Sequence, residues 1–235
     1  MTRNSQLVLV PGLLCSEKLW ASQVHELSDI AEIVVADMTQ DDTMEGMAGR
    51  VLDAADGMFS LAGLSMGGYV ALEVMRRAPE RVERLALLDT GARADTPEQT
   101  TRRRDLIALA DRGEFRAVSP KLLPMFVHPD RLSDGDLVAD ISEMAESVGK
   151  DAFLRQQHAI MHRPDSRPGL ADITCPTLVL CGREDVLTPP ELSEEIAEGV
   201  PGAELILLDR CGHLSTMERP EEVNTVLRAW FGRTN

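Results

Sequence analysis

One serine in this chain is flanked by glycines directly after an apolar run, in the stretch Gly63-Leu64-Ser65-Met66-Gly67. The pattern G-x-S-x-G between a strand and a helix holds a serine on a sharp turn, where its hydroxyl projects as a nucleophile. Small residues are needed on both sides because side chains two residues away would collide with each other or with the neighbouring strand. We therefore predict that Ser65 is a nucleophile and not an ordinary turn residue.

A serine hydroxyl reacts slowly unless a base takes its proton and an acid orients that base. Two later segments supply such residues, each directly after an apolar run: Asp185 in GRED and His213 in CGH. The order serine, acid, histidine is expected when the three lie at successive strand ends of one sheet. We predict a triad of Ser65, Asp185 and His213. Two alternatives stay open, namely that Asp89 is the acid and that Asp185 only caps a turn.

Two backbone N–H groups are needed to bind the oxyanion that forms when a serine attacks a carbonyl. One is predicted at Met66, the residue after the nucleophile. The other is predicted at Leu13, which follows Gly12 in the turn after the first apolar run. The remaining histidines have no base–acid pattern around them and are expected to be surface or cap residues: His25, His128, His158 and His162.

Six apolar runs must position these residues, and they span residues 6–12, 32–38, 57–65, 84–91, 176–185 and 203–213. The runs are nearly continuously apolar, which is typical of strands covered on both faces in a parallel sheet. Helical periodicity follows Ser65 and begins again at Pro220, after the last run. This alternation predicts an α/β fold with a mainly parallel, doubly wound sheet.

A long segment between the fourth and fifth runs has no convincing strand pattern. Its helical patterns lie around residues 97–112, 114–126, 134–148 and 150–162. We predict a core of residues 1–91 and 175–235, with residues 92–174 inserted between strands as a helical cap. The cap is expected to govern substrate choice. Its predicted pocket residues are Met125, Phe126, Phe153 and Met161, which would also suit the core of the cap, with Arg155, Gln156 and Arg163 as polar candidates.

The chain of 235 residues carries a net charge of −15, with 43% hydrophobic and 27% charged residues. A surface this acidic repels phosphate backbones and anionic lipids, so neither nucleic acid nor membrane is expected as a partner. The basic cluster Arg102-Arg103-Arg104 lies in a helical pattern and is expected to be a solvated face.

Four cysteines, at positions 15, 175, 181 and 211, form no C-x-x-C pair and have no histidine cluster beside them. No metal site is therefore predicted. Three of them border apolar runs, which indicates reduced, mostly buried thiols in a reducing compartment. Because no convincing secretion signal or membrane-spanning stretch is present, we expect a cytoplasmic protein.

Three stretches carry a resemblance to a known family, and they read GLSMGGYVALEVM, ITCPTLVLCGREDVLTPP and GHLSTMERPEEV. The chain resembles the α/β-hydrolase superfamily over nearly its whole length, and most of all small bacterial esterases and lactonases of the 3-oxoadipate enol-lactonase type. The resemblance implies a Ser65 nucleophile, a His213 base and an Asp185 acid, with no cofactor. Two departures are that Pro11-Gly12 stands where many members have His-Gly, and that the fold is expected to be N-terminally shortened by two strands.

The triad and the resemblance together imply a serine hydrolase that cleaves a small carboxylic ester or lactone through an acyl-enzyme. The same triad serves other reactions on this fold, so a C–C bond hydrolase, a thioesterase, a lyase and a cofactor-free perhydrolase remain alternatives. A non-catalytic ligand receptor is a further one, because functions are grafted onto folds. Acylation of Ser65 by a test ester, with or without later turnover, distinguishes the receptor from the enzymes.

Overall fold

The six predicted strands are all present in the computed structural model, which describes residues 6–232. They are β1 Gln6–Val10, β2 Glu32–Val35, β3 Phe59–Leu64, β4 Val82–Leu88, β5 Thr177–Gly182 and β6 Glu204–Leu208. They form one sheet in the order β2-β1-β3-β4-β5-β6, and each neighbouring pair is parallel. The predicted α/β class with a parallel sheet is confirmed.

Helices cover both faces of the sheet. They are α1 Ala21–Leu27, α2 Met44–Asp53, α3 Met66–Arg77, α4 Pro97–Leu109, α5 Val118–Phe126, α6 Gly135–Met161, α7 Pro190–Gly199, α8 Ser215–Glu218 and α9 Pro220–Phe231. Alternate strand residues point to opposite faces, so one sheet supports two apolar cores. Leu9 of β1 shares a core with Trp230 of α9, whereas Val10 shares the other core with Val70 of α3.

The segment predicted as a cap contains α4, α5 and α6, and it has no strand between β4 and β5. The two helical patterns predicted around 134–148 and 150–162 form one long element, α6, which is interrupted at Gly149. Gly149 has a φ of 78°, outside the helical range, so the break between the two predicted patterns is real. None of the helices within residues 6–232 combines the length and the apolar character needed to cross a bilayer.

The carboxyl ends of the parallel strands meet at one edge of the sheet. Leu13 follows β1, Ser65 follows β3, Asp89 follows β4, Asp185 follows β5 and His213 follows β6. Residues far apart in the sequence are thereby placed along a single edge.

The turn from β3 into α3 leaves no room for side chains at the positions two residues before and two residues after Ser65. A Cβ atom at Gly63 would lie 2.2 Å from the carbonyl oxygen of Gly67, and one at Gly67 would lie 2.1 Å from that of Val10. Both neighbours are backbone atoms that cannot rotate away. The collisions predicted from the G-x-S-x-G pattern are therefore present in the structure.

We expect Gly67→Ala to lower the free energy of unfolding by roughly 2–4 kcal/mol, because the added methyl forces the α3 backbone away from β1. Gly49→Ala is the matched control, since Gly49 lies in α2 and a Cβ there has no atom within 4 Å. That variant should gain about 0.4–1 kcal/mol from the greater helix propensity of alanine. Urea unfolding of both variants checks this, and equal stability would refute the close approach at Gly67.

Candidate active site

Ser65 occupies a strained position between β3 and α3. Its φ of 57° and ψ of −115° lie in a region that residues with side chains seldom adopt. Two hydrogen bonds hold the turn: Ser65 N–H donates to the Leu88 carbonyl at 2.9 Å, and the Thr90 hydroxyl donates to the Ser65 carbonyl at 2.8 Å. The end of β4 therefore fixes the conformation that projects the serine hydroxyl.

His213 connects the serine to an acid. Its Nε2 lies 2.8 Å from Ser65 Oγ, and its Nδ1 lies 2.7 Å from Asp185 Oδ2. Because an ionised carboxylate only accepts, Nδ1 carries the proton and Nε2 is free to accept the serine proton. The structure thus brings the three predicted triad residues together in one hydrogen-bonded chain.

Asp185 is buried and fully engaged. Its Oδ1 accepts the N–H groups of Leu187 at 2.8 Å and Thr188 at 3.0 Å, and its Oδ2 accepts the Thr188 hydroxyl at 2.7 Å as well as His213. Asp185 therefore caps the turn after β5 with one oxygen and orients the imidazole with the other. The sequence left open whether Asp185 is the triad acid or only caps a turn. In the structure one carboxylate oxygen contacts the histidine and the other caps the turn.

Asp89 lies behind the triad and does not replace Asp185. Its Oδ1 accepts the Gly182 N–H at 2.9 Å, and its Oδ2 accepts the Ser215 hydroxyl. Complete burial and the nearby charge of Asp185 raise the pKa of Asp89 to about 8. The Asp89 oxygens bond to Gly182 and Ser215, whereas His213 Nδ1 bonds to Asp185, so Asp89 is not the hydrogen-bond partner of the imidazole.

Burial and charge act in opposite directions on His213. Burial alone would lower its pKa, because the imidazolium loses hydration, but the charge and hydrogen bond of Asp185, together with the charges of Asp89 and Glu218, outweigh this effect. The net result is a pKa above the usual range of a histidine. The Asp185 carboxylate therefore stabilises the charged form of the His213 imidazole.

The cap contacts the histidine directly at the end of α5. The Phe126 carbonyl accepts the N–H groups of both His213 and Leu214, at 3.1 and 3.0 Å. The Phe126 ring also stacks beside the imidazole, with centroids 6.2 Å apart and planes inclined by 15°. The position of the predicted base therefore depends on a cap residue.

Glu218 is a further positioning residue that the sequence analysis did not single out. Its carboxylate accepts the N–H groups of Gly212 at 2.9 Å and His128 at 2.7 Å, so it connects the histidine turn to the cap. The side chain is only 2% exposed, and burial raises its pKa. The available signal was the nearness of this acid to His213 in the stretch GHLSTME.

The predicted oxyanion donors lie on either side of Ser65. Met66 is the first residue of α3, where N–H groups have no acceptor within the helix, and Leu13 borders the cavity above the serine.

Gln156 of the cap supports the turn that carries Leu13. Leu14 N–H donates to Gln156 Oε1 at 3.0 Å, and Gln156 Nε2 donates to the Met38 carbonyl at 3.1 Å. Gln156 thus supports this turn and does not face the nucleophile.

A cavity of about 70 Å³ opens above Ser65. Because a single water molecule needs roughly 10–15 Å³ of such volume, the cavity suits a compact ligand. Its apolar walls include Leu64, Leu106, Leu122, Phe126, Ile160, Leu187 and Leu214.

Of the four predicted apolar pocket residues, Phe126 borders this cavity, whereas Met125, Phe153 and Met161 are not among the described residues that line it. Phe153 is completely buried inside the cap and lies 5.7 Å from the Phe115 ring, centroid to centroid. Helical periodicity shows that such residues are buried, but it does not show against which neighbour.

The predicted polar cap residues also lie elsewhere. Arg155 donates to the Thr39 carbonyl at 2.9 Å, and Arg163 pairs with Asp95. The polar cap residues that do border the cavity are Gln99, Arg102, Arg103 and Gln157. The basic cluster at 102–104 is therefore not simply a solvated face, because two of its members line the cavity.

Three buried groups at and beside Asp185 have potential ligand atoms within 4.8 Å of one another: Asp89, Cys181 and Asp185 itself. Their chemistry does not favour a cation. Asp89 and Asp185 already accept hydrogen bonds from Gly182, Ser215, Leu187, Thr188 and His213. Burial raises the pKa of Cys181, and a protonated thiol is a weak ligand.

Comparison with known proteins places this geometry in a family. Residues 7–226 match the model of the Alpha/beta hydrolase family. A RutD protein of Serratia proteamaculans (strain 568), provisionally named a carbamate hydrolase, is 31% identical over 97% of this chain and 91% of its own length.

Two solved structures are similar over nearly the whole chain. A thermophilic esterase from Thermogutta terrifontis is 30% identical, with a TM-score of 0.88, over 96% of this chain and 89% of that one. The enol-lactonase from Burkholderia xenovorans LB400 is 25% identical, with a TM-score of 0.88, over 98% of this chain and 92% of that one.

Proposed function

Because the chain belongs to the alpha/beta hydrolase family, we propose that it is a serine hydrolase that cleaves a small carboxylic ester or lactone through an acyl-enzyme. The observation that carries this proposal is the hydrogen-bonded chain from Ser65 Oγ through His213 to Asp185, whose serine and histidine line one cavity. The esterase and enol-lactonase similarities support the same chemistry.

In the first step, His213 Nε2 takes the proton of Ser65 as the serine oxygen attacks the substrate carbonyl. The negative charge moves to the carbonyl oxygen, where the N–H groups of Met66 and Leu13 bind it. Asp185 keeps the imidazole in the tautomer that accepts at Nε2. The proton on Nε2 then passes to the leaving alcohol, and the C–O bond breaks to give an ester of Ser65.

In the second step, His213 takes a proton from water as the water oxygen attacks the Ser65 ester. The same N–H groups bind the oxyanion. Collapse returns the proton to Ser65 Oγ and releases a carboxylic acid. Apart from the substrate and water, both steps use only groups of the chain, so we expect catalysis without a cofactor or metal.

A carbamate is the second candidate substrate, because the RutD relative is named for carbamate hydrolysis. Ser65 can attack a carbamate carbonyl in the same way. Compared with an ester, a carbamate is less electrophilic and has a different leaving group. A panel of short esters, lactones and carbamates under identical conditions ranks these candidates by kcat/KM.

We expect an organophosphonate to label Ser65 stoichiometrically and to abolish hydrolysis of p-nitrophenyl acetate, because it reacts with an activated serine in an oxyanion hole. Mass spectrometry of the labelled peptide identifies the site.

A chelator such as EDTA should leave the rate of p-nitrophenyl acetate hydrolysis unchanged, since no step uses a metal. Inhibition by EDTA that a divalent metal reverses would contradict the mechanism, and acylation without turnover would favour a receptor.

A further inference from the structure

The wall of the catalytic cavity is opposite in charge to the chain as a whole. The chain carries a net charge of −15, yet the residues that line the cavity include Arg102 and Arg103 and no aspartate or glutamate within the described part of the chain. Chance placement on so acidic a protein would favour carboxylates. The cavity therefore has a local potential suited to an anion.

A buried ion cluster beside the cavity has one positive charge in excess. The guanidinium groups of Arg103 and Arg163 both pair with the single carboxylate of Asp95, which is 1% exposed. Within residues 6–232, neither arginine pairs with a second carboxylate. Arg163 also lies over the ring of Tyr69, with its Cζ 4.2 Å from the ring centroid, so it is held away from solvent.

Gln157 leaves a donor without an acceptor in the same wall. Arg103 Nη1 donates to Gln157 Oε1 at 3.0 Å, and this fixes the orientation of the amide because a guanidinium cannot accept. The other amide atom, Nε2, is buried and has no hydrogen-bond partner. A buried donor without a partner costs free energy, and here it belongs to a residue that lines the catalytic cavity.

We propose that Gln157 and Arg103 form a carboxylate-binding subsite, and that the substrate cleaved at Ser65 carries a carboxylate remote from the scissile ester. The substrate carboxylate supplies both features that the wall lacks, an acceptor for Gln157 Nε2 and a counter-charge for the Arg103–Asp95–Arg163 cluster. One excess charge and a cavity of about 70 Å³ match a carboxylate better than a phosphate, which carries more charge and needs more donors. This inference rests on the proposed function.

Two matched pairs of small esters test the subsite. Monoethyl succinate is compared with diethyl succinate, which varies charge on the acyl side, and acetoxyacetate is compared with methyl acetoxyacetate, which varies charge on the alcohol side. For each pair the measured quantity is the ratio of kcat/KM for the anionic ester to kcat/KM for the neutral ester. We expect a ratio of at least about 10 in one of the pairs for the unaltered protein.

Gln157→Glu is the informative variant. The glutamate still accepts from Arg103, but it removes the free donor and neutralises the excess charge. We expect the ratio to fall by roughly 10- to 100-fold. Arg104→Gln is the control, because it also lowers the charge by one but affects an exposed residue of α4 that does not line the cavity, and it should keep the ratio. A ratio near one for both pairs in the unaltered protein, or one that Gln157→Glu does not change, would overturn the proposal.

A binding measurement separates failure of the subsite from failure of the proposed function. In a Ser65→Ala background, calorimetric titration should show tighter binding of monoethyl succinate than of diethyl succinate, and Gln157→Glu should abolish the difference. If this result appears but the unaltered protein hydrolyses no ester, the subsite stands and the proposed hydrolysis fails. If esters are hydrolysed but charge affects neither binding nor kcat/KM, the subsite fails alone.

Discussion

Ser65→Ala is expected to lower kcat for p-nitrophenyl acetate by on the order of 10⁴-fold or more, while the fold stays intact. The alanine removes the oxygen that forms the acyl-enzyme, and His213 and Asp185 then have no nucleophile to activate. Loss of one hydroxyl leaves the strained backbone at this position unchanged. The measurement is the initial rate of p-nitrophenol release, with circular dichroism as the check on folding.

Ser60→Ala is the matched control for this experiment. Ser60 lies in β3, the strand that leads to Ser65, and it is completely buried. Its hydroxyl has no hydrogen-bond partner, so its removal should change the rate by less than about threefold. Near-normal turnover in Ser65→Ala would show that another residue is the nucleophile.

Asp185→Asn should lower kcat by roughly 10⁴-fold, because an amide next to Nδ1 favours the wrong tautomer of His213. Asp89→Asn should lose far less, within about tenfold. The reason is that Asp89 bonds to the Gly182 N–H and the Ser215 hydroxyl, whereas His213 Nδ1 bonds to Asp185. Steady-state kinetics of both variants decide between the two acids, and collapse of Asp89→Asn alone would transfer the acid role to Asp89.

The pH profile gives the Asp185 experiment a second readout. His213 acts as a base only when neutral, so kcat/KM rises as pH increases through its pKa. Asp185 raises that pKa. Removing its charge lowers the pKa, and the acidic limb of the profile for the residual activity of Asp185→Asn should therefore move to lower pH. A purely structural loss would lower the whole curve without moving the limb.

The sheet and the triad were accessible from sequence because each rests on local information. A strand buried on both faces must be nearly all apolar, as in LVLV of β1 and LALL of β4. The turn from β3 into α3 is recognisable in the sequence because nearby backbone atoms leave no room for a side chain at Gly63 or Gly67. Because β5 and β6 are neighbouring parallel strands, the residues that follow them, Asp185 and His213, lie at the same edge of the sheet.

The cap was much less predictable. Its helices bury apolar residues against one another as well as against the site, so periodicity could not distinguish Phe126, which lines the cavity, from Phe153, which does not. Likewise Gln156 and Gln157 are neighbours in sequence, yet one holds the turn of Leu14 and the other faces the cavity. Such differences depend on tertiary contacts that no short window of sequence contains.

The contact between Phe126 and the histidine turn has a consequence for local unfolding. Ser65 is held by hydrogen bonds to residues of the sheet edge, whereas His213 and Leu214 donate to the Phe126 carbonyl at the end of α5. A fluctuation that frays the end of α5 breaks both of these bonds and loosens the backbone of His213, whereas the hydrogen bonds that hold Ser65 are unaffected. The backbone support of His213 therefore depends on the end of α5 as well as on the sheet, and stabilising the sheet alone would not preserve it.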